Sequence, residues 1–260
     1  MMGVVGLVPA AGLATRISPL PCSKEVFPIG VSKATTGERL GPTVVGSYLL
    51  RKFFKAGVRK AFFIIRKGKW DIPQYFGNGS WMQMDLGYLI MGDPYGVPFT
   101  LDQAFPFVKD QKVIFGFPDI LFSEEQAYIS LLECQVSSEA DLVLGLFPVG
   151  PRQKADRVYS DVDGKILDVL PDSTRLDLSY TWGIAVWMPQ FTEFIHEFVE
   201  KFRKETDQRS EVSMSQVIHE GINCGLNVQG LMVSHIPFLD IGTSEGLAEA
   251  LSQYGANFRS

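Results

Sequence analysis

The chain reads as an α/β protein, a Rossmann-like three-layer sandwich around a mainly parallel, mixed central sheet. Two observations lead there. Short apolar runs alternate with segments of helical period through the first half, as βαβ units do. The length, 260 residues, and a hydrophobic content of 46% are enough to bury one sizeable core. No internal repeat, low-complexity tract or long linker divides the chain, so the expectation is one domain over residues 1–260.

Val4 to Val8 is apolar and suits a buried first strand. Val31 to Gly41 is polar and rich in Gly and Thr, and reads as a surface loop. Thr43 to Ala56 has Val45, Leu49 and Phe53 on one helical stripe, with Gly57 as its stop. Lys60 to Ile65 is a short buried strand, Phe76 to Ser80 a turn, and Leu86 to Met91 a strand. Leu101 to Phe105 reads as a short helix halted by Pro106, followed by a strand over Lys112 to Phe117. Glu124 to Glu133 is a helix and Ala140 to Phe147 a strand. In the less regular second half, Val158 to Val169 reads as a hairpin turning at Asp163-Gly164, and Trp182 to Met188 as a strand. Gln190 to Arg203 is the cleanest helix: Phe191, Phe194, Ile195, Phe198, Val199 and Phe202 keep the helical period as a core-packing stripe. Met214 to Gly221 and Ser244 to Tyr254 complete the helices.

Composition excludes several classes. A net charge of −5 does not favour non-specific nucleic-acid binding. No stretch approaches a transmembrane span, and the apolar N-terminus lacks the basic start of a secretory signal. The three cysteines, Cys22, Cys134 and Cys224, are widely spaced and make neither a zinc pattern nor a disulfide framework, so a cytoplasmic setting is expected. His196, His219 and His235 share no ligand or triad spacing, and His196 reads as solvent-facing. No Gly-x-Ser-x-Gly elbow supports serine-nucleophile chemistry.

The stretch after the first strand carries chemistry. Ala10, Ala11, Gly12 and Ala14 are small enough for the backbone to approach a ligand, and Arg16 and Lys24 bring two cations to the same loop. The residues alone fit a polyphosphate cradle or an ordinary turn with two solvated cations. The longer string resembles the N-terminal signature of the sugar-phosphate nucleotidyltransferases, Ala-Ala-Gly-x-Gly-Thr-Arg-x-x-Pro-Leu, a spacer, Pro-Lys, three residues, Pro. Ala10, Ala11, Gly12, Thr15, Arg16, Pro19, Leu20, Lys24 and Pro28 match it in register, while Ala14 and Ser23 replace a Gly and a Pro.

The resemblance continues to about Ala250. Asp119, after an apolar strand, corresponds to the family's Gly-Asp with Pro118 in place of Gly. Asp240, in Phe238-Leu239-Asp240-Ile241-Gly242-Thr243, corresponds to its Asp-x-Gly-Thr before a helix. Gly77, Gly79, Ser80 and Tyr88 resemble its Gly-Asp-Gly-Ser turn and following strand; Pro98, Leu101, Gln103 and Ala104 its base-side segment; Thr181, Trp182 and Gly183 its Asn-Thr-Gly over the sugar. Met91 stands near a polar base-contacting position. Leu170 stands where the family's sugar-phosphate lysine falls, and Arg157, on the hairpin, is either a substitute cation or a solvated one. Asp119 read by itself could equally cap the next turn, and Thr243 or Ser244 could cap the last helix beside Asp240.

The resemblance implies a fold of the nucleotide-diphospho-sugar transferase type and a transfer joining a nucleoside triphosphate to a sugar 1-phosphate. It implies that Arg16 and Lys24 stabilise charge, that residues Ala10, Ala11, Gly12, Leu13, Ala14 and Thr15 cradle phosphates, with Gln103 beside the nucleotide, that Gly183 closes over the sugar, and that Asp119 and Asp240 hold Mg2+; Arg157 is the candidate to supply the cation of the missing sugar-phosphate lysine. A homo-oligomer is left open, and neither nucleic acid nor membrane is expected as a partner. The competing reading is a non-catalytic relative that binds a nucleotide or sugar nucleotide and regulates a partner, which the substitutions at Ala14, Ser23, Pro118 and Leu170 favour. A dinucleotide-binding oxidoreductase is disfavoured: no Gly-x-Gly-x-x-Gly follows the first strand, and Arg66 follows the second strand, where a ribose-binding acid belongs.

Overall fold

A computed structural model describes residues 3–33, 40–92, 95–150, 153–170, 177–205 and 211–255. The first half runs β1 (Val4–Pro9), β2 (Pro28–Lys33), β3 (Leu40–Val44), α1 (Val45–Lys55), β4 (Lys60–Arg66), α2 (Asp71–Phe76), β5 (Asp85–Met91), α3 (Val97–Asp102), α4 (Phe105–Val108), β6 (Lys112–Gly116) and β7 (Ile120–Leu121). The second half runs α5 (Ala127–Ser138), β8 (Leu142–Pro148), β9 (Arg157–Ser160), β10 (Ile166–Leu170), β11 (Tyr180–Trp187), α6 (Pro189–Glu205), α7 (Met214–Asn223), β12 (Val228–Met232), β13 (Leu239–Asp240) and α8 (Ser244–Gly255).

Seven strands form the central sheet in the order β12-β8-β11-β6-β1-β4-β5. β1 pairs in parallel with β4 and β6, β4 with β5, and β8 with β12. β11 runs antiparallel to both β6 and β8. The expected mainly parallel, mixed sheet is therefore what the chain builds.

Its strands are apolar on both faces because both faces are covered. Successive residues of β1, β6 and β8 alternate between two cores. Leu7, Phe115 and Leu144 pack on one side with Phe99 of α3, Phe191 and Ile195 of α6, and Val217 of α7. Val8, Ile114 and Val143 pack on the other with Leu49 and Phe53 of α1, Phe76 of α2 and Tyr128 of α5. A smaller cluster of Ile29, Val45, Leu121, Ile241 and Ala250 seats α8 beside β2, β7 and β13.

The strand order sets the place of the site. After β1 the sheet grows outward through β4 and β5, then β6 is added on the other flank of β1. The order reverses between β1 and β6, so the loops leaving the carboxyl ends of these two strands open a crevice. In open α/β sheets that is where ligands bind.

Several expectations change in detail. Residues 31–33 and 40–41, read as loop, belong to the antiparallel pair β2 and β3, and residues 34–39 between them lie outside the described set. Polar composition there reflects a two-stranded ribbon away from the main core rather than the absence of strand. Pro106 does not stop a helix but sits in the first turn of α4, where its missing N–H costs no hydrogen bond. The Gly57 stop and the Asp163-Gly164 hairpin turn stand, with Gly57 at φ 86° and Gly164 at φ 84°. His196 is not simply solvent-facing: its ring stacks on Phe105 at 3.8 Å, and its Nδ1 lies 2.7 Å from Oδ1 of buried Asp102.

Candidate active site

The four charged side chains singled out from the sequence meet at the β1/β6 switch point. Arg16 lies in a single 3-10 turn (Thr15–Ile17) directly after the β1 loop, and Lys24 opens a second one (Lys24–Val26). Asp119 follows β6 and immediately precedes β7. Asp240 is the last residue of β13, which pairs antiparallel with β7 and places Asp240 opposite Ile120. The Ile241 N–H also donates to the Asp119 carbonyl at 3.0 Å. A two-residue strand pair thus brings together carboxylates far apart along the chain.

Lys24 Nζ forms an ion pair and a hydrogen bond with Asp119 Oδ2, and Arg16 Nη2 stands 3.3 Å from Asp240 Oδ2. Gly242 measures how closely the groups converge. A Cβ built on it would lie 2.8 Å from Asp240 Oδ1, 3.0 Å from Arg16 Nη2 and 3.6 Å from Asp119 Oδ2. Glycine is needed there by space: a methyl would occupy the gap between both carboxylates and the guanidinium. The Gly242 N–H donates to Asp240 Oδ1 at 2.8 Å and fixes its orientation. Thr243 Oγ1 accepts from the Gly246 N–H at 3.1 Å, so Thr243 caps α8 and leaves the Asp240 carboxylate to the crevice.

Electrostatics follow from this crowding. Burial, with the Asp119 charge beside it, pushes the Asp240 carboxyl above its ordinary value. Burial works against the Lys24 ammonium, but Asp119, Glu25 and Asp240 outweigh it, and its pKa is raised.

The loop over residues 10–15 leaves β1 with Ala10 and Ala11 buried and Leu13 exposed. Among the described residues, none accepts a hydrogen bond from the backbone N–H groups of Ala11 to Ala14. A Cβ on Gly12 would lie 3.9 Å from Lys24 Nζ, so the loop faces the ammonium. Ala14 adopts φ 54° and ψ 32°, the left-handed region its missing glycine counterpart would enter freely. The loop carries the strain of a Cβ at this position.

The remaining sequence candidates are spread around this centre. Gln103 follows α3, half-buried, and its amide donates to the Phe99 carbonyl. Gly183 lies on β11 at a register shift, where a Cβ would meet Ile120 Cδ1 at 2.8 Å and Phe238 Cε1 at 3.1 Å. Arg157 is not a solvated cation: it is buried on β9, and its Nη1 donates to the Leu178 carbonyl at 3.3 Å. Its neighbour Asp156 lines a cavity of about 420 Å³ instead, together with Phe117, Thr181, Trp182 and Phe238. Phe117 and Phe238 stand two residues before Asp119 and Asp240, so this cavity adjoins the charged centre.

Sequence reasoning missed three contributors. A second cavity, about 200 Å³, runs beside Leu13 and Ala14 and is lined also by Lys24, Arg66 and Lys69. Arg66 ends β4, the parallel neighbour of β1, so its position at a carboxyl strand end was the available signal. Lys69 Nζ holds both oxygens of fully buried Glu25 at 2.7 and 2.8 Å, tying the turn that carries Lys24 to the segment after β4. No spacing in the sequence marks that pair.

Asp119 and Asp240 offer hard oxygen donors, and the gap their oxygens share is the one a Gly242 Cβ would fill. No group of three or more His, Cys, Asp or Glu able to hold a metal occurs among the described residues. Two carboxylates completed by substrate phosphates and water are the donor set that suits Mg2+ rather than an all-protein cage.

Comparison with known proteins agrees with this architecture. No protein-family model matches the chain. A Bacillus anthracis protein assigned as a glucose-1-phosphate thymidylyltransferase, solved in complex with a sucrose, superposes with a TM-score of 0.79 at 16% identity, covering 96% of this chain and 94% of that one. A UDP-glucose pyrophosphorylase complexed with UDP-glucose gives 0.76 at 14% identity, covering 99% and 100%. The fold is that of the sugar-phosphate nucleotidyltransferases. Among curated proteins, the low-salt glycan biosynthesis nucleotidyltransferase of Haloferax volcanii is 21% identical over 250 residues. That match takes in 94% of this chain, which spans 64% of the relative's length. No helix among the described residues is long and apolar enough to cross a membrane.

Proposed function

We propose that the chain is a sugar-1-phosphate nucleotidyltransferase: it joins a nucleoside triphosphate to a sugar 1-phosphate and releases pyrophosphate. The observation that carries this reading is the meeting of Arg16, Lys24, Asp119 and Asp240 at the one crevice the strand order creates. An oxygen of the sugar phosphate bonds to the α-phosphorus as the bond to the pyrophosphate oxygen breaks, and the electron pair leaves with pyrophosphate. The nucleophile is already an anion, so no proton must move. What the reaction needs is positioning and charge neutralisation.

The chain's groups meet that need. Backbone N–H groups of residues 11–14 and the Lys24 ammonium receive the triphosphate, with Arg66 on its outer side. Arg16, whose side chain is 62% exposed, is free to follow the leaving group. Asp119 and Asp240 would hold Mg2+, which when bound neutralises phosphate charge and orients the reacting oxygens. Retention of all four groups, both carboxylates and both cations, favours turnover over a non-catalytic binding role. Either role is compatible with a cytoplasmic protein, the setting we infer from its cysteines.

The deciding experiment is a pyrophosphate-release screen of nucleoside triphosphates against sugar 1-phosphates with Mg2+. Turnover that is lost in Asp119→Ala and Lys24→Ala is the expected result. Nucleotide binding without turnover in any pairing would sink the enzymatic reading.

A further inference from the structure

Lys24 sits on a turn whose two flanks are fastened to one other segment of the chain. On its far side Glu25 is held by Lys69. On its near side the Ser23 N–H donates to Asp71 Oδ2 at 2.6 Å, and the Ser23 hydroxyl donates to Asp71 Oδ1 at 2.7 Å. Asp71 opens α2, and both it and Ser23 are half-buried. Ser23 stands at φ −59° and ψ 138°, and its carbonyl accepts from the Val26 N–H at 3.0 Å to close the turn. That φ is the one a proline ring enforces. A serine leaves it free over the extended and helical regions. Among the described residues the Ser23 N–H has no backbone acceptor, so the Asp71 carboxylate is what fastens it.

From this geometry we infer that Asp71 is a positioning residue for Lys24: its two oxygens grip residue 23 and set the direction in which the next side chain leaves, toward Asp119. The inference rests on the nucleotidyl-transfer reading above, in which the Lys24 ammonium neutralises charge on the reacting phosphates. Hydrogen bonds to a carboxylate are about twice as strong as neutral ones, and a pair of them fixes orientation as well as distance. Lys24 Nζ is paired with Asp119 Oδ2 and must also meet a phosphate, on a flexible four-carbon stem. The setting of its backbone therefore decides where the ammonium stands, and an error of about 1 Å can cost up to about a hundredfold in rate. The same latch accounts for the serine at residue 23: hydrogen bonds supply the constraint that a proline supplies covalently.

The test removes the latch and then replaces it. In the pyrophosphate-release assay Asp71→Ala is expected to lower kcat about tenfold or more. KM for both substrates should stay within about threefold, the pattern of an interaction lost mainly in the transition state. Adding Ser23→Pro to Asp71→Ala should restore kcat to within about threefold of the parent, because the ring fixes φ and forfeits only bonds already lost. Asp71→Asn should hold the same level, since its amide accepts from the Ser23 N–H and donates to the hydroxyl. Ser23→Ala leaves α2 and the N–H bond in place and should show a smaller fall in kcat, about threefold, which decides the matter should Asp71→Ala not fold. Acetic anhydride labelling of Lys24, read by mass spectrometry, follows the ammonium without catalysis. Pairing with Asp119 keeps it charged and unreactive, so labelling should quicken about threefold or more in Asp71→Ala and slow again with Ser23→Pro. Unchanged kcat in Asp71→Ala, or a fall that Ser23→Pro leaves unrepaired, overturns the positioning role and leaves nucleotidyl transfer standing. Absence of turnover in the parent with every substrate pair, alongside the expected labelling, overturns transfer and leaves the positioning role. Absence of both turnover and any labelling change overturns both.

Discussion

Replacing Lys69 by methionine should cost far more than losing a surface lysine. Lys69 is 5% exposed and Glu25 fully buried, and the ammonium holds both carboxylate oxygens at 2.7 and 2.8 Å. Burial raises the Glu25 pKa and lowers that of Lys69, each against the attraction of its partner. Both shifts say the same thing: desolvation outweighs the attraction, and the pair is held rather than stabilising. Removing one member leaves a buried carboxylate whose remaining compensation comes mainly from Lys24. The expected loss is about 3–5 kcal/mol at pH 7, read as a fall in the urea midpoint at unchanged slope. The double variant Glu25→Met with Lys69→Met should recover to within about 1–2 kcal/mol of the parent, since two apolar chains replace two charges.

The pH dependence fixes the sign. Glu25 has a folded pKa above its reference of 4.5, so its favourable contribution is present below the unfolded value and is lost as pH rises through the folded one. Without Lys69 the folded pKa rises further. The deficit of Lys69→Met should therefore be largest at pH 7 and narrow toward pH 5, while the double variant shows no such trend. A deficit under about 1 kcal/mol, or a double variant as unstable as the single, would refute the reasoning.

Three further outcomes are expected. Ala14→Gly should raise stability by about 1 kcal/mol, because relief of the left-handed Cβ at φ 54° exceeds the entropy glycine adds to the unfolded chain; an unchanged or lower urea midpoint would contradict it. Gly242→Ala should raise the Mg2+ concentration needed for half-maximal turnover at least about tenfold with little change in melting temperature, because its Cβ enters the gap 2.8 Å from Asp240 Oδ1 and 3.0 Å from Arg16 Nη2. His196→Ala should lower stability by about 1–2 kcal/mol by chemical denaturation, since it removes the partner 2.7 Å from buried Asp102 and the ring stacked on Phe105.

Much of the architecture was legible because its signals are local. The stripe Val45, Leu49, Phe53 and the alternation of β6 between two cores follow from which side chains avoid water, and the periods 3.6 and 2 survive any tertiary context. The illegible elements lack that signal. α2 is six residues long and includes Pro73, β7 and β13 are two residues each, and β12 carries Gln229 and Gly230. Such elements exist because neighbours supply their partners: β12 is held by β8, and β13 by β7.

By itself the sequence determined the residue types at the centre and the loop that carries them, since a small-residue turn with Arg16 and Lys24 is a local pattern. Which carboxylate meets which cation was decided only in three dimensions. Lys24 finds Asp119 and Arg16 finds Asp240 because the sheet reverses its order beside β1 and because β7 and β13 pair. The Glu25–Lys69 clamp and the acidic, ring-lined cavity likewise come from packing segments far apart in the chain. Contact across such separations depends on topology, and no local period encodes it.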